Sequence, residues 1–138
     1  MSQMLEASMN TIVVSGQYYM GHMLTIDSRA EQEYVHNTLG VKSDVWIALS
    51  DDSSEGMWRW IDGPEAGMSP VWIAWSGPEP NGGASENCGV STPGLLWVDI
   101  SCGQTRWLVI EYEQQSSVAG NNLDAFFEYV LSCFYNQK

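Results

Sequence analysis

The spacing of apolar positions along the chain changes twice. The N-terminal stretch reads helical, with Ser2 placed to cap a helix running to about Val14. The β-branched run Thr11-Ile12-Val13-Val14 weakens its end, and Ser15-Gly16 breaks it. A second helix is better signalled. Ser28 with Glu31 three residues on forms a capping box, and Ala30, Tyr34, Val35 and Thr38 or Leu39 recur at helical spacing. Leu39-Gly40 ends it. From Val45 the pattern shortens: Val45 to Leu49 predicts a buried strand, and Met57 to Ile61 a strand with one wet face around Arg59. Residues 62–94 are rich in Pro and Gly and show little regular pattern; a loop beyond about 12–15 residues in a compact domain is usually functional or disordered. Trp72, Trp75 and Cys88 within it suggest a pinned loop. Strands are expected at Leu95–Ile100 and Arg106–Tyr112, turned by Gly103-Gln104-Thr105. Residues 114–122 are polar and linker-like. Leu123 to Tyr135 is apolar again, and its periodicity leaves helix and strand both open.

Composition narrows the function classes. The length of 138 residues suits one domain, 1–138, and 44% hydrophobic residues with 7 Trp suffice for a core. Five Lys and Arg stand against 17 Asp and Glu, a net charge of −12, which repels phosphate backbones and anionic membranes. Nucleic acid is therefore excluded as a partner. No apolar run reaches the roughly 20 residues of a membrane span. No signal peptide is visible at Met1-Ser2-Gln3-Met4-Leu5-Glu6, and there is no Asn-x-Ser/Thr acceptor. Cys88, Cys102 and Cys133 allow at most one intrachain disulfide.

The candidate chemistry lies in the long loop. Glu79-Pro80-Asn81, Glu86-Asn87-Cys88 and, on the next strand, Trp97-Val98-Asp99 supply three carboxylates and an amide with no His nearby. An all-oxygen donor set suits calcium, which takes about six to eight oxygens, and not zinc or copper. The plainer reading of these carboxylates is ordinary loop solvation.

The same residues carry a family resemblance. Gly21-His22-Met23-Leu24-Thr25-Ile26, Trp46-Ile47-Ala48-Leu49, Glu55-Gly56-Met57-Trp58-Arg59-Trp60-Ile61-Asp62-Gly63, Glu79-Pro80-Asn81, Leu96-Trp97-Val98-Asp99-Ile100-Ser101-Cys102 and Ile110-Glu111-Tyr112 occur in the order found in the C-type lectin-like domain, which residues 21–113 resemble nearly end to end. The resemblance implies an α+β C-type lectin fold, with two helices flanking a small antiparallel sheet and a long loop region. It implies calcium (Ca2+) held by Glu79, Asn81, Glu86 and Asp99, with the same four binding two vicinal sugar hydroxyls. It also implies a cis Glu79–Pro80 bond, a Cys88–Cys102 disulfide pinning the loop, Trp97 as a core residue beneath the site, and an extracellular, secreted setting. The Glu-Pro-Asn order implies mannose, glucosamine or fucose-like sugars.

The departures are equally specific. Val98 stands where the family has an Asn ligand. A second calcium position keeps Asp51 and Glu55 at the family's spacing, but Gly82 and Asn87 replace carboxylates there. Ile110 occupies one position of the long-range disulfide, and the first helix has no cysteine for the other. The family's first strand is missing from the N-terminus, where Met4-Leu5-Glu6-Ala7 resembles the first helix, while Phe127 to Tyr135 resembles that strand. A circular permutation follows as an expectation, with 114–122 as joining linker and 123–138 as the permuted strand; a packed C-terminal helix or a strand swapped between chains are its alternatives.

Three functions are weighed. The first is a calcium-dependent carbohydrate-binding module without catalysis. The second is a calcium-independent protein-binding module on the same fold, motivated by Val98. The third, an enzyme using Glu79 and Glu86 as an acid/base pair, is disfavoured because nothing in the sequence raises either pKa. Trp58, Trp60, Trp72 and Trp75 read better as core than as a sugar-stacking platform. His22 and His36 lack metal-ligand spacing. Cys133 has no positioned base to make it a nucleophile, leaving an intermolecular disulfide, and so an oligomer, or simple burial.

Overall fold

The computed structural model describes residues 11–14 and 17–114. Among the described residues, strands β1 (Thr11–Val14), β2 (Gln17–Met23), β3 (Val45–Ser50), β4 (Arg59–Trp60), β5 (Cys88–Ser91), β6 (Trp97–Ile100), β7 (Trp107–Leu108) and β8 (Ile110–Gln114) accompany one α-helix, α1 (Arg29–Glu33). They form two sheets. The smaller has the order β1-β2-β8, with both pairings antiparallel. The larger runs β4-β3-β5-β6, with β7 pairing in parallel on β3.

The helical reading of the N-terminal stretch is corrected where the structure describes it. Thr11–Val14 is a strand, paired residue for residue with Gln17–Met20. The β-branched run that weakens a helix there suits a pleated strand. Residues 1–10, with the Met4-Leu5-Glu6-Ala7 resemblance, lie outside the described residues, as do 115–138 and so the permuted strand, most of the joining linker and Cys133. Gln114, expected to open that linker, still belongs to β8.

The second helix starts as expected. Ser28 is extended at φ −153°, and its Oγ accepts from the Glu31 N–H at 3.2 Å. The reciprocal arm of the box lands one residue early: Glu31 Oε2 accepts from the Asp27 N–H at 2.6 Å. After Glu33 the coil widens into a π-turn over Tyr34–Thr38, where Leu39 N–H donates to the Tyr34 carbonyl at 2.8 Å. Gly40 at φ 72° ends it in the left-handed conformation. The turn buries Val35 and His36. His36 Nδ1–H donates to the Val41 carbonyl, and its Nε2 accepts from the Ser91 hydroxyl, both at 2.9 Å, tying the helix to β5.

All six residues of β3 are buried, as a continuous apolar run with cover on both faces should be. Around it pack Met23, Leu24, Ile26, Val90 and an aromatic group centred on Trp97. Trp60, Trp72 and Trp75 meet Trp97 edge-to-face at 6.0, 5.5 and 5.8 Å, and Trp58 meets Trp75 at 4.8 Å. The Trp97 indole N–H donates to Gln32 Oε1 at 2.7 Å, joining α1 to β6 through the core. Trp60 and Trp97 are thus buried in the core, and Trp58, Trp72 and Trp75 pack half-buried against it.

Three expected strands change length for local reasons. Met57–Ile61 shortens to Arg59–Trp60. Leu95–Ile100 begins only at Trp97, because Leu95 sits at φ 62° in the turn where its N–H donates to Thr92. Arg106–Tyr112 divides into β7 and β8, with the Val109 carbonyl between them accepting from Leu24 N–H. The long stretch 62–94 holds β5 and a 3₁₀ turn at Gly83–Ser85, elements too short to show a period. Among the described residues no helix is long and apolar enough to cross a membrane.

Candidate functional site

The long loop is laid along the start of β6. Trp97 N–H donates to the Ala74 carbonyl and Ser76 N–H to the Trp97 carbonyl, so Trp75 bridges Trp97 as a one-residue parallel pair. Glu79 N–H then turns back onto the Ser76 carbonyl at 2.7 Å, and the Glu79–Pro80 bond is cis. The loop's return is held by Asp99 of β6, which is only 2% exposed. Its two carboxylate oxygens accept from the Asn81 N–H at 3.1 Å each, and Oδ2 accepts from the Gly82 N–H at 2.8 Å. A buried carboxylate answering two backbone donors is a strong anchor for an otherwise irregular segment.

This anchor gathers the predicted residues. The Asn81 side-chain amide donates to Glu79 Oε1 at 2.8 Å, while Glu79 Oε2 is buried with no donor facing it. The Glu79 carboxyl lies within hydrogen-bond reach of Asp99, and that contact, with desolvation and the negative charges of Asp99 and Glu86, raises its pKa. The expectation that nothing raises Glu79 is therefore corrected. Burial pushes Asp99 upward, but the hydrogen bond with Glu79 and the backbone donors of Gly82 and Asn81 outweigh it and hold its carboxyl below the usual range. Two facing carboxylates at neutral pH need a shared proton or a cation between them.

Glu86 arrives from the other side of the turn. Its side chain lies across Gly82, against the very place where a Cβ would stand. Gly82 is therefore more than the missing carboxylate of the second calcium position: it makes room for Glu86. The sequence signal was the Gly82-Gly83 pair directly after Asn81. Val98, by contrast, packs partly buried against the core and offers no oxygen.

The second position is also assembled at the end of β3. Ser50 Oγ and Asp51 N–H both donate to the Asn87 carbonyl, at 2.6 and 3.3 Å. Asp51 is 2% exposed; its Oδ2 accepts from Gly56 N–H at 2.8 Å and its Oδ1 is buried without a donor. Asn87 Oδ1 is likewise buried without a donor, and Asn87 Nδ2 reaches Asp52 Oδ1 at 3.4 Å. Glu55 reaches toward Gly83, where Oε1 lies 3.9 Å from the place of a Cβ.

Orphaned, buried carboxylate and amide oxygens are a donor set that suits a hard cation. Among the described residues, no three His, Cys, Asp or Glu side chains stand ready as a metal cage. Asp99 is engaged by the backbone donors of Asn81 and Gly82, and Glu79 Oε1 by the Asn81 amide. Taking up a cation would require that amide to turn its oxygen inward. The Cys88–Cys102 disulfide, with Cα atoms 5.2 Å apart, joins the start of β5 to the turn after β6 and so braces the strand that carries Asp99.

The family model for the C-type lectin domain matches residues 8–110. The chain belongs to the C-type lectin domain family. Over 91 residues, 65% of this chain, it is 36% identical to human C-type lectin domain family 17, member A, and it spans 23% of that protein. It is 33% identical over 101 residues to echinoidin of Heliocidaris crassispina, covering 66% of this chain and 65% of that one. The chain thus spans less than two thirds of the length of these relatives. Among solved structures, the lectin CEL-I of Cucumaria echinata superposes with a TM-score of 0.60 at 24% identity, covering 79% of each chain. A structure described as a calcium-independent type II antifreeze protein superposes with a TM-score of 0.54 at 21% identity, covering 72% of this chain and 88% of that one. The C-type lectin fold and a lectin-like binding role for this domain follow from the family.

Proposed function

We propose that this domain binds carbohydrate through calcium held by Glu79, Asn81, Glu86 and Asp99, with no catalytic step. The observation that carries the reading is the Asp99 anchor: one buried carboxylate draws Asn81 and Gly82 onto β6 and brings Glu79 alongside. Calcium, when bound, would neutralise the facing carboxylates and offer coordination positions to sugar hydroxyls. The chain's own residues would orient those hydroxyls, the Glu79 and Glu86 carboxylates accepting from them and the Asn81 amide donating. The Glu-Pro-Asn order favours mannose, glucosamine or fucose-like hydroxyl pairs, and the disulfide and the family's relatives favour an extracellular setting. Asp51, Glu55 and Asn87 would support a second ion.

Val98 supports the alternative of a calcium-independent protein-binding module, since an apolar side chain turned into the core replaces a ligand. Calorimetric titration with calcium, followed by a mannoside with and without chelator, tests the two. Chelator-sensitive sugar binding supports the lectin reading. A protein partner captured equally well in chelator, with no calcium uptake, supports the alternative.

A further inference from the structure

We propose that Asn81 is a site of self-modification, where the Gly82 backbone nitrogen displaces the Asn81 side-chain amide and the folded loop converts Asn81 to aspartate and isoaspartate. Asn81-Gly82 is the chain's only Asn-Gly step. Gly82 has no side chain to hinder the approach of its nitrogen to the residue before it. Asn81 is exposed, so water reaches it.

The neighbours engage both ends of the reaction. Gly82 N–H, which must give up its proton, donates to Oδ2 of the buried Asp99 at 2.8 Å. The Asn81 amide, which must leave, donates to Glu79 Oε1 at 2.8 Å. In the first step Gly82 N bonds to Asn81 Cγ and closes a cyclic imide. The Cγ–Nδ2 bond breaks, and the proton from Gly82 N–H, passed through Asp99, leaves on the departing ammonia. Water then opens the ring at either carbonyl. One opening gives aspartate. The other gives isoaspartate, whose main chain runs through the former side-chain carbonyl and is one atom longer. A held nucleophile with a proton acceptor in contact lowers the barrier relative to the same sequence in a mobile chain. Both products replace the Asn81 amide with a carboxylate beside Glu79 and Asp99. The loss of sugar binding that follows rests on the calcium-and-sugar reading above; the conversion itself does not.

The test is peptide-mapping mass spectrometry of the full chain, aged in chelator at neutral pH, both folded and in denaturant. The amide-to-acid mass gain accumulates at Asn81 ahead of every other asparagine. The folded chain converts roughly tenfold faster than the denatured one, which has the same Asn-Gly step without Asp99 against it. Asp99→Asn keeps an acceptor but not the base, and its rate falls to that of the denatured chain. Should that variant not fold, the folded-to-denatured ratio of the parent decides alone. A folded chain that converts no faster than the denatured one, or an Asn81 that keeps its amide, overturns the proposal. Calcium and methyl mannoside titrations of the aged chain read the consequence: binding capacity falls in step with the converted fraction. Conversion with calcium-dependent mannoside binding unchanged supports the modification and overturns Asn81 as a ligand, while a fresh chain that takes up no calcium overturns the calcium reading alone.

Discussion

At the scale of single residues, the shape of the site turns on Gly82. Gly82 is small because Glu86 lies where a Cβ would be. Gly82→Ala is therefore expected to push Glu86 out of the site, lowering calcium affinity by about tenfold or more while the circular dichroism stays that of the parent. Glu65, away from the site, gives a cleaner titration. Burial, the hydrogen bond to Asp27 and the charges of Asp27 and Glu31 raise its pKa. A raised carboxyl contributes stability that is fully present below its unfolded pKa and is lost as pH rises through its folded pKa. Glu65→Gln keeps a donor toward Asp27 at every pH. Its melting temperature should exceed the parent's at pH 7, by a screened margin on the order of 1 °C, and the difference should vanish toward pH 3. A variant that is less stable at pH 7 contradicts that account.

The elements show which parts of the fold were readable and why. The Ser28 cap, the buried β3 run and the tryptophan core were legible, because each depends on local chemistry or on apolar residues at a regular period. Thr11–Val14 was not: four β-branched residues were weighed as a frayed helix end, and only pairing with Gln17–Met20 decides for a strand. β5 escaped because Cys88-Gly89-Val90-Ser91 is four residues inside a Pro- and Gly-rich stretch, and its identity comes from β3 on one side and β6 on the other. The donors of the site were legible as residue types; the Asp99 anchor that gathers them is a long-range contact with no local signal. Two measurements probe this layer. Replacing both Cys88 and Cys102 with Ser opens a cross-link of sequence separation 14, which should cost about 2–4 kcal/mol in denaturant unfolding. Trp97→Phe leaves the buried Gln32 Oε1 without its donor and should cost roughly 2–4 kcal/mol in denaturant unfolding.

For the whole molecule, the two sheets and the disulfide present one acidic loop face, and the net charge of −12 makes that face costly to hold without a counter-ion. Calcium should therefore raise stability, by about 2.7 kcal/mol at one hundred times its dissociation constant. The most direct test of the central claim is calorimetric titration of calcium into the parent and into Asp99→Asn, each followed by methyl mannoside before and after chelator. The parent is expected to take up calcium and to bind mannoside in a chelator-sensitive way, and Asp99→Asn to lose both. Mannoside binding that survives chelator, or a parent that takes up no calcium, would contradict that claim.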